Sequence, residues 1–454
     1  MLDDDEQAAF RRLSVFQDGF LLDAAGAVAD TSASSLAVLA GKSLLTQQPG
    51  GRYRIHGLLR QYGTELAARN EPEYAELHDR HGRYYLGLLA GSEEALSGRD
   101  QRAALDAIER DIGNIRSAWD WAARERSVRL INGAAHALWL FYVMRGWMRE
   151  GAAAFGGVLQ SLNRTGGLHR QTPEAVLTRA KALARSGGFQ SGLGRYDEAI
   201  ADLSSGVELL RSLGATRELG LALNMLAAAF RLTGDRRASK RLLEESLACY
   251  RQVDDPWGIA HSLNDLGLIS HELHEGDEAE RFCMEGRTMF RKLGDRRGSA
   301  FATYNLGLIA ARNGSHDRAR RLYGESLALR QDSHDQWGTA ASLIQLGTES
   351  RELGSPGDAR THFLRAMRIG WESSITPAVL DALVGMAALA IDEGNESGAV
   401  EMLASAGAHP AARGHMRETV SALIERHGLP ISPAPEPDRW AIQAVDDIVR
   451  RLLG

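Results

Sequence analysis

Residues forty positions apart in this chain carry the same side-chain sizes. Leu266-Gly267, Ala279, Cys283 and Gly286 recur as Leu306-Gly307, Ala319, Tyr323 and Ser326, and again as Leu346-Gly347, Ala359, Phe363 and Ala366. The register extends backward to Leu226-Ala227, Ser239, Leu243, Ser246 and to Ser186-Gly187, Ala199, Leu203, Gly206. Forward it reaches Met386-Ala387, Ala399, Leu403, Ala406. Such a period marks a stack of similar units, each burying its apolar face against the next. Large-small, then small-large-small, is the pattern that packed helices require. A small residue lets two backbones approach, and a large one fills the adjoining groove. Each unit therefore reads as a helix A carrying the large-small pair and a helix B carrying the second set.

The connecting segments agree. Asp255-Pro-Trp-Gly258, Asp295-Arg-Arg-Gly298 and Asp335-Gln-Trp-Gly338 occupy equivalent places, each with an Asp able to cap the next helix. Pro256 and Pro377 stand where a first-turn proline is tolerated. Gly234, Gly314, Gly354 and Gly394 fall between A and B, as left-handed helix C-caps do. One unit has His274 there, with Gly276 two residues on.

Leu-Gly, Ala, large or aromatic, small, taken together over residues 176–406, resembles the tetratricopeptide repeat, whose usual period is about 34 residues. The longer period implies longer helices, as in the arrays of bacterial regulators. In such stacks the A helices line the concave surface. Counted from the large-small pair, Asn224, Asn264 and Tyr304 then point inward, with Arg231, His271 and Arg351 one to two turns later. Amides can grip an extended peptide backbone, and Arg or His can hold a carboxylate. The alternative is that these side chains are merely solvated.

The flanks read differently. Phe10 to Ala29 and Ser34 to Ser43 are apolar helical stretches. Leu44 to Thr46, a Pro49-Gly50-Gly51 turn and Arg52 to His56 predict a hairpin, and Leu58 to Ala68 returns to helix. Helices with a small hairpin before the last one suggest a winged-helix unit. Phe10 to Phe16, Gly41 to Leu45, Arg52 to Tyr62 and Glu109 to Trp121 resemble the region that follows the NB-ARC nucleotide-binding domain in STAND-class bacterial signalling ATPases and transcriptional regulators. That resemblance covers nearly the whole chain. It implies an order of ATPase, winged helix, helical connector and repeat array, sometimes with a DNA-binding domain after it. An ATPase domain before residue 1 and a helix-turn-helix after the array are not expected here, so the chain reads as the regulatory half alone.

The expected fold is all-α: a tetratricopeptide-type α-α superhelix with an N-terminal winged-helix unit carrying a small β-hairpin. The expected divisions are 1–72, winged helix; 73–162, helical connector with a degenerate first repeat; 174–406, repeats; and 407–454, a C-terminal cap. Asn163 to Pro173 reads as a loop and Leu429 to Pro437 as an extended proline-rich link. Trp440 to Leu453 reads as a helix covering the open end of the stack.

Composition narrows the function. Of 454 residues, 44% are hydrophobic, 25% charged and 6% aromatic, which suits close helix packing in a folded soluble protein. The net charge of -6 argues against coating a polyanion. Two cysteines, Cys249 and Cys283, offer no disulfide framework; both fall on helix-B core positions and read as buried thiols. An acidic start without an apolar run reads as no signal peptide, and the most apolar stretch, Leu130 to Met144, is too short to span a bilayer. A cytoplasmic protein is expected.

Other candidates carry bland readings. Gly41-Lys42-Ser43 resembles the end of a P-loop, but Leu36 stands where the first glycine belongs. His78 and His81 have metal-compatible spacing but no further ligand pair. Arg236, Arg237, Lys240 and Arg241, with Arg318, Arg320 and Arg321, form a basic strip that acidic neighbours offset. Arg60 and Arg69 are few cations for a DNA-reading helix. No catalytic set emerges from spacing, so the chain reads as a non-enzyme without cofactor. The expected activity is a regulatory or sensor module. Its concave face would bind a protein, a peptide or a small inducer, and an NB-ARC ATPase would act with it in cis or in trans. The alternative is a stand-alone DNA-binding transcriptional regulator using the winged helix.

Overall fold

The structure, a computed structural model, describes residues 2–164, 172–332, 335–373, 375–412, 414–431 and 438–454. Most of the expected loop at 163–173 and of the proline-rich link at 429–437 lies outside them. The chain divides into two compact units. One comprises Met1–Leu96, Asp100–Val143 and Arg149–Ser186, and the other Ser97–Arg99, Met144–Met148 and Gly187–Gly454.

The first unit opens with α1 (Asp4–Leu13), α2 (Leu22–Ala29) and α3 (Ala33–Gly41), followed by an antiparallel hairpin of β1 (Leu45–Gln48) and β2 (Arg52–Ile55), then α4 (Gly57–Ala67). Asp3 and Glu6 form a capping box that starts α1. The apolar stretch from Phe10 to Ala29 is two helices rather than one. Its middle leaves helical geometry because Phe20 pairs its backbone with Tyr53, adding a bridge to the hairpin. Next come α5 (Glu71–Gly91), α6 (Glu93–Leu96), α7 (Gln101–Arg110), α8 (Ile112–Arg124), α9 (Val128–Arg145), α10 (Met148–Asn163) and α11 (Pro173–Gly192). The unit's core is aromatic. Phe16 stacks on Phe20 at 4.3 Å, His81 lies 4.8 Å from Tyr85, and His78 stacks on Trp121 at 4.6 Å.

The second unit holds five helical hairpins with the expected forty-residue spacing, preceded by α12 (Tyr196–Ser212). They are α13 (Thr216–Thr233) with α14 (Arg236–Gln252), α15 (Pro256–Glu272) with α16 (Gly276–Leu293), α17 (Arg296–Arg312) with α18 (His316–Asp332), α19 (Gln336–Glu352) with α20 (Pro356–Glu372), and α21 (Thr376–Asp392) with α22 (Glu396–Ala408). The repeated sequence pattern is one repeated contact. A Cβ placed on Gly307 would lie 2.5 Å from the Tyr323 ring, and one on Gly347 would lie 2.6 Å from Phe363. Gly267 faces Cys283 and Gly187 faces Leu203 in the same way. Each small residue of helix A is thus the slot for the large residue sixteen positions on in helix B.

A second size match joins one hairpin to the next. Tyr250 lies on Gly258 and Phe290 on Gly298, while Arg330 takes the aromatic's place against Gly338. At the last joint a small residue, Gly370, holds the large one's place, and Val379, nine positions on, packs against it. The aspartate caps are formed as expected. Asp255, Asp295 and Asp335 each accept from the backbone N–H three residues on, at 3.0, 2.8 and 2.9 Å. His274 itself takes the left-handed conformation, at φ 70°, that glycine supplies in the other hairpins; Gly276 instead opens α16.

After α22 come α23 (His415–His427) and α24 (Trp440–Leu453). Helix α23 packs on α21 and α22. Helix α24 packs on α22 and α20, with Arg451 paired to Glu401 at 2.8 Å, so it lies along the B layer. Among the described residues, no helix is long and apolar enough to cross a membrane.

Candidate functional site

Successive A helices, α13 to α15 to α17 to α19 to α21, touch one another, whereas successive B helices among the described residues stay further apart. A stack with the closer spacing on its A side curves toward that side, so the A helices form the inner face. Tyr304 on α17 sits at its middle. The Gln345 side chain of α19 approaches the Tyr304 hydroxyl. Arg231 of α13 and Asp381 of α21, two hairpins away in either direction, both lie within electrostatic reach of it. The Arg330 guanidinium rests 4.9 Å from the Tyr304 ring centre and donates to the Gly338 carbonyl at 2.5 Å.

Two carboxyls on this face are unusual. Asp381 is exposed, yet the surrounding protein desolvates it enough to push its carboxyl up to about 7. Asp265 on α15 is pushed up to about 7 by burial, against the opposing pull of Arg231. His261 lies under Trp257 at 4.0 Å and beside Phe290 at 4.8 Å, and burial holds it down at about 3.

The six residues singled out from sequence fall into three settings. Asn224 and Asn264 are buried between helices: Asn224 accepts from the Ser262 hydroxyl at 3.2 Å, and Asn264 accepts from the Asn305 amide at 3.1 Å. Both hydrogen bonds tie one hairpin to the next. Tyr304 is half-buried on the inner face. Arg231, His271 and Arg351 lie at the C-terminal ends of A helices, where a ladder links neighbouring hairpins. Arg231 pairs with Glu272 at 2.9 Å, Arg312 donates to the His271 carbonyl at 2.5 Å, and Arg351 reaches Asp392 at 3.6 Å. Burial lowers the His271 pKa.

Sequence reasoning passed over Asp265, Gln345 and Asp381. One signal was available: positions 221, 261, 301, 341 and 381 read Leu, His, Phe, Ala and Asp, so a carboxylate stands alone in an otherwise carboxylate-free register column. On the other side of the array, Leu247, Ala248, Leu266 and Phe282 line an open groove of about 660 Å³, rimmed by Glu244, Arg251 and Arg281.

Several other candidates are engaged within the fold. The Lys42 amine is held by Glu6 at 2.5 Å. His78 and His81 are buried, and burial holds both down at about 4; among the described residues, no group of three or more His, Cys, Asp or Glu side chains is placed to hold a metal ion. Cys283 is fully buried and its thiol is pushed up to about 12, chiefly by burial. In the basic strip, Arg236 pairs with Glu272, Lys240 with Glu275 and Glu278, Arg318 with Glu280, and Arg320 with Asp317.

Comparison with known proteins agrees with the fold. Tetratricopeptide-repeat models match residues 220–253, 258–332 and 299–370. The whole chain superposes on 63% of a STAND protein with a tetratricopeptide repeat sensor from Pyrococcus horikoshii, with a TM-score of 0.60 at 16% identity. A crystal structure of a Rap protein complexed with competence and sporulation factor matches over 81% of this chain and 98% of its own, with a TM-score of 0.56 at 13% identity. Curated relatives from Mycobacterium tuberculosis and Mycobacterium bovis, whose names describe them as HTH-type transcriptional regulators, are 27% identical over 282 residues. That match covers 59% of this chain, and the chain spans 31% of the length of those relatives. The matched hairpins, between residues 220 and 370, are tetratricopeptide repeats, and the fold is an all-α tetratricopeptide-type solenoid.

Proposed function

We propose that the inner face of the array is a docking site for a peptide or an extended protein segment, and that the chain works as a regulatory binding module rather than as a catalyst. The observation that carries this is the convergence on Tyr304. Arg231, Gln345 and Asp381 lie within electrostatic reach of this half-buried phenol, so the four side chains come from four different A helices. Tyrosine and amide side chains supply hydrogen bonds with little entropy to lose, and a desolvated carboxylate gains from a cation placed beside it. The superposed Rap protein, in complex with its factor, supports the reading. A small inducer would use the same groups.

The resemblance to STAND proteins extends the proposal. Residues 1–72 would act as a winged helix, and an NB-ARC ATPase, in the same chain or another, would respond to occupancy of the array inside the cytoplasm. The ligand would shift that response only by its different affinity for the two arrangements. The test is selection of a displayed random-peptide library on the immobilised full chain. Enriched peptides should lose at least tenfold in affinity against Tyr304→Ala and against Asp381→Asn. Equal binding to both variants would place the site elsewhere.

A second reading comes from the names of the mycobacterial relatives. A salt-dependent gel shift with the full chain would support DNA binding; no retention at low salt would remove it.

A further inference from the structure

Helix α23 has two working faces. Met416, Val420 and Ile424 recur every four residues and sink into the apolar core of α21 and α22. Gly414 and Glu418, also four apart, lie on another face and meet the turn between α13 and α14, far back in the sequence. Glu418 approaches Arg236 at 3.6 Å. A Cβ on Gly414 would stand 2.8 Å from the Leu232 carbonyl oxygen, so backbone meets backbone there, and its φ of 49° with ψ of -120° is a conformation that only glycine adopts freely. The three hairpins between, α15 to α20, are bypassed.

The geometry points to α23 as a latch, an intrachain brace that ties the last hairpin to the α13–α14 hairpin and holds the inner face at one aperture. A solenoid contacts only sequential neighbours, so its pitch is soft unless something spans the arc. The brace also joins the inner face directly. Arg236 shares Glu272 with Arg231 at 3.3 and 2.9 Å, and Arg231 acts on both Asp265 and Tyr304. A weak contact suits a device meant to open, because a solvent-exposed ion pair shifts an equilibrium by only a few-fold. The meaning of opening, control of access to the inner face, rests on the function proposed above; the brace itself does not.

The test uses the full chain without ligand, by amide hydrogen exchange and small-angle scattering. Glu418→Arg should speed exchange about fivefold in residues 230–238 and in α23, with a larger radius of gyration, while α17 to α20 stay unchanged. Gly414→Ala, whose Cβ would press on the Leu232 carbonyl, should speed the same exchange without touching any charge. Unchanged exchange at 230–238 in either variant would overturn the latch. Should Glu418→Arg merely loosen α23 from α21 and α22, exchange would rise across α23 alone, which also counts against it. If the latch holds and no peptide binds, the docking proposal fails on its own.

Discussion

The two units solve the same problem, burying apolar surface between helices, in opposite ways. In the array one contact is made again and again, a small residue on helix A receiving a large one on helix B, so Gly307 with Tyr323 and Gly347 with Phe363 are copies. The first unit relies on an aromatic cluster instead. Phe16, Phe20, His78, His81, Tyr85 and Trp121 meet once, through ring stacking, and two imidazoles are buried there without charge. A repeated contact tolerates more than one pair of sizes, as Gly370 beneath Val379 shows at the last joint. A unique aromatic cluster has no such second solution.

The contrast can be broken most forcefully in the array. Phe363→Ala empties a slot shared by Gly347 and Gly385, and should cost roughly 3–5 kcal/mol in urea denaturation. A cost under about 1 kcal/mol would mean that the slot collapses freely. The first unit should respond to pH instead. His78 and His81 titrate at about 4 in the folded chain, below the ordinary imidazole value. The unfolded chain therefore takes up protons first, so stability is full above pH 6.5 and falls as the pH drops toward 4, by on the order of 2–3 kcal/mol per histidine. His78→Phe, which keeps the stack on Trp121, should flatten part of that slope; an unaltered slope would assign it to other groups. Asp265 acts with the opposite sign. Its folded value near 7 exceeds the unfolded one, so its ionisation opposes folding as the pH rises from about 4 through 7, and Asp265→Asn should lessen that loss in urea melts across this range.

Smaller effects sharpen the comparison between joints. Asp295→Ala removes the cap on Gly298 and the acceptor for the Trp257 indole at 3.1 Å, and should cost about 1–2 kcal/mol. Arg330→Phe restores the aromatic found at 250 and 290. The ring keeps the bulk against Gly338 but leaves its carbonyl without the guanidinium donor, so stability should fall by about 1–3 kcal/mol, and Arg330→Ala should cost more. Equal losses in the two variants would show that the guanidinium's bond to Gly338, rather than its bulk, holds that joint.

The hairpins, their caps and their glycine turns were legible because each is a local rule repeated at fixed spacing, so six weak signals reinforce one another. The interrupted helix at Ser14–Leu21 was not, because Phe20 leaves helical geometry only to pair with Tyr53, thirty-three residues later. Of the inner-face residues, Tyr304 could be placed by counting. The asparagines and the charged positions could not be resolved that way. Asn264 has the same periodic address as Tyr304, and only the neighbouring hairpin's Asn305 makes it a buried link.

By itself the sequence determined the repeat, the sizes that meet within a hairpin, and the helix ends, since all of these are set by residues within about twenty positions of one another. Only the tertiary structure decided how Asp381 and Arg231 come within reach of Tyr304, and that Glu418 returns to Arg236. Those outcomes depend on the curvature accumulated over several hairpins. Small rotations at each joint add up, and no single segment encodes their sum.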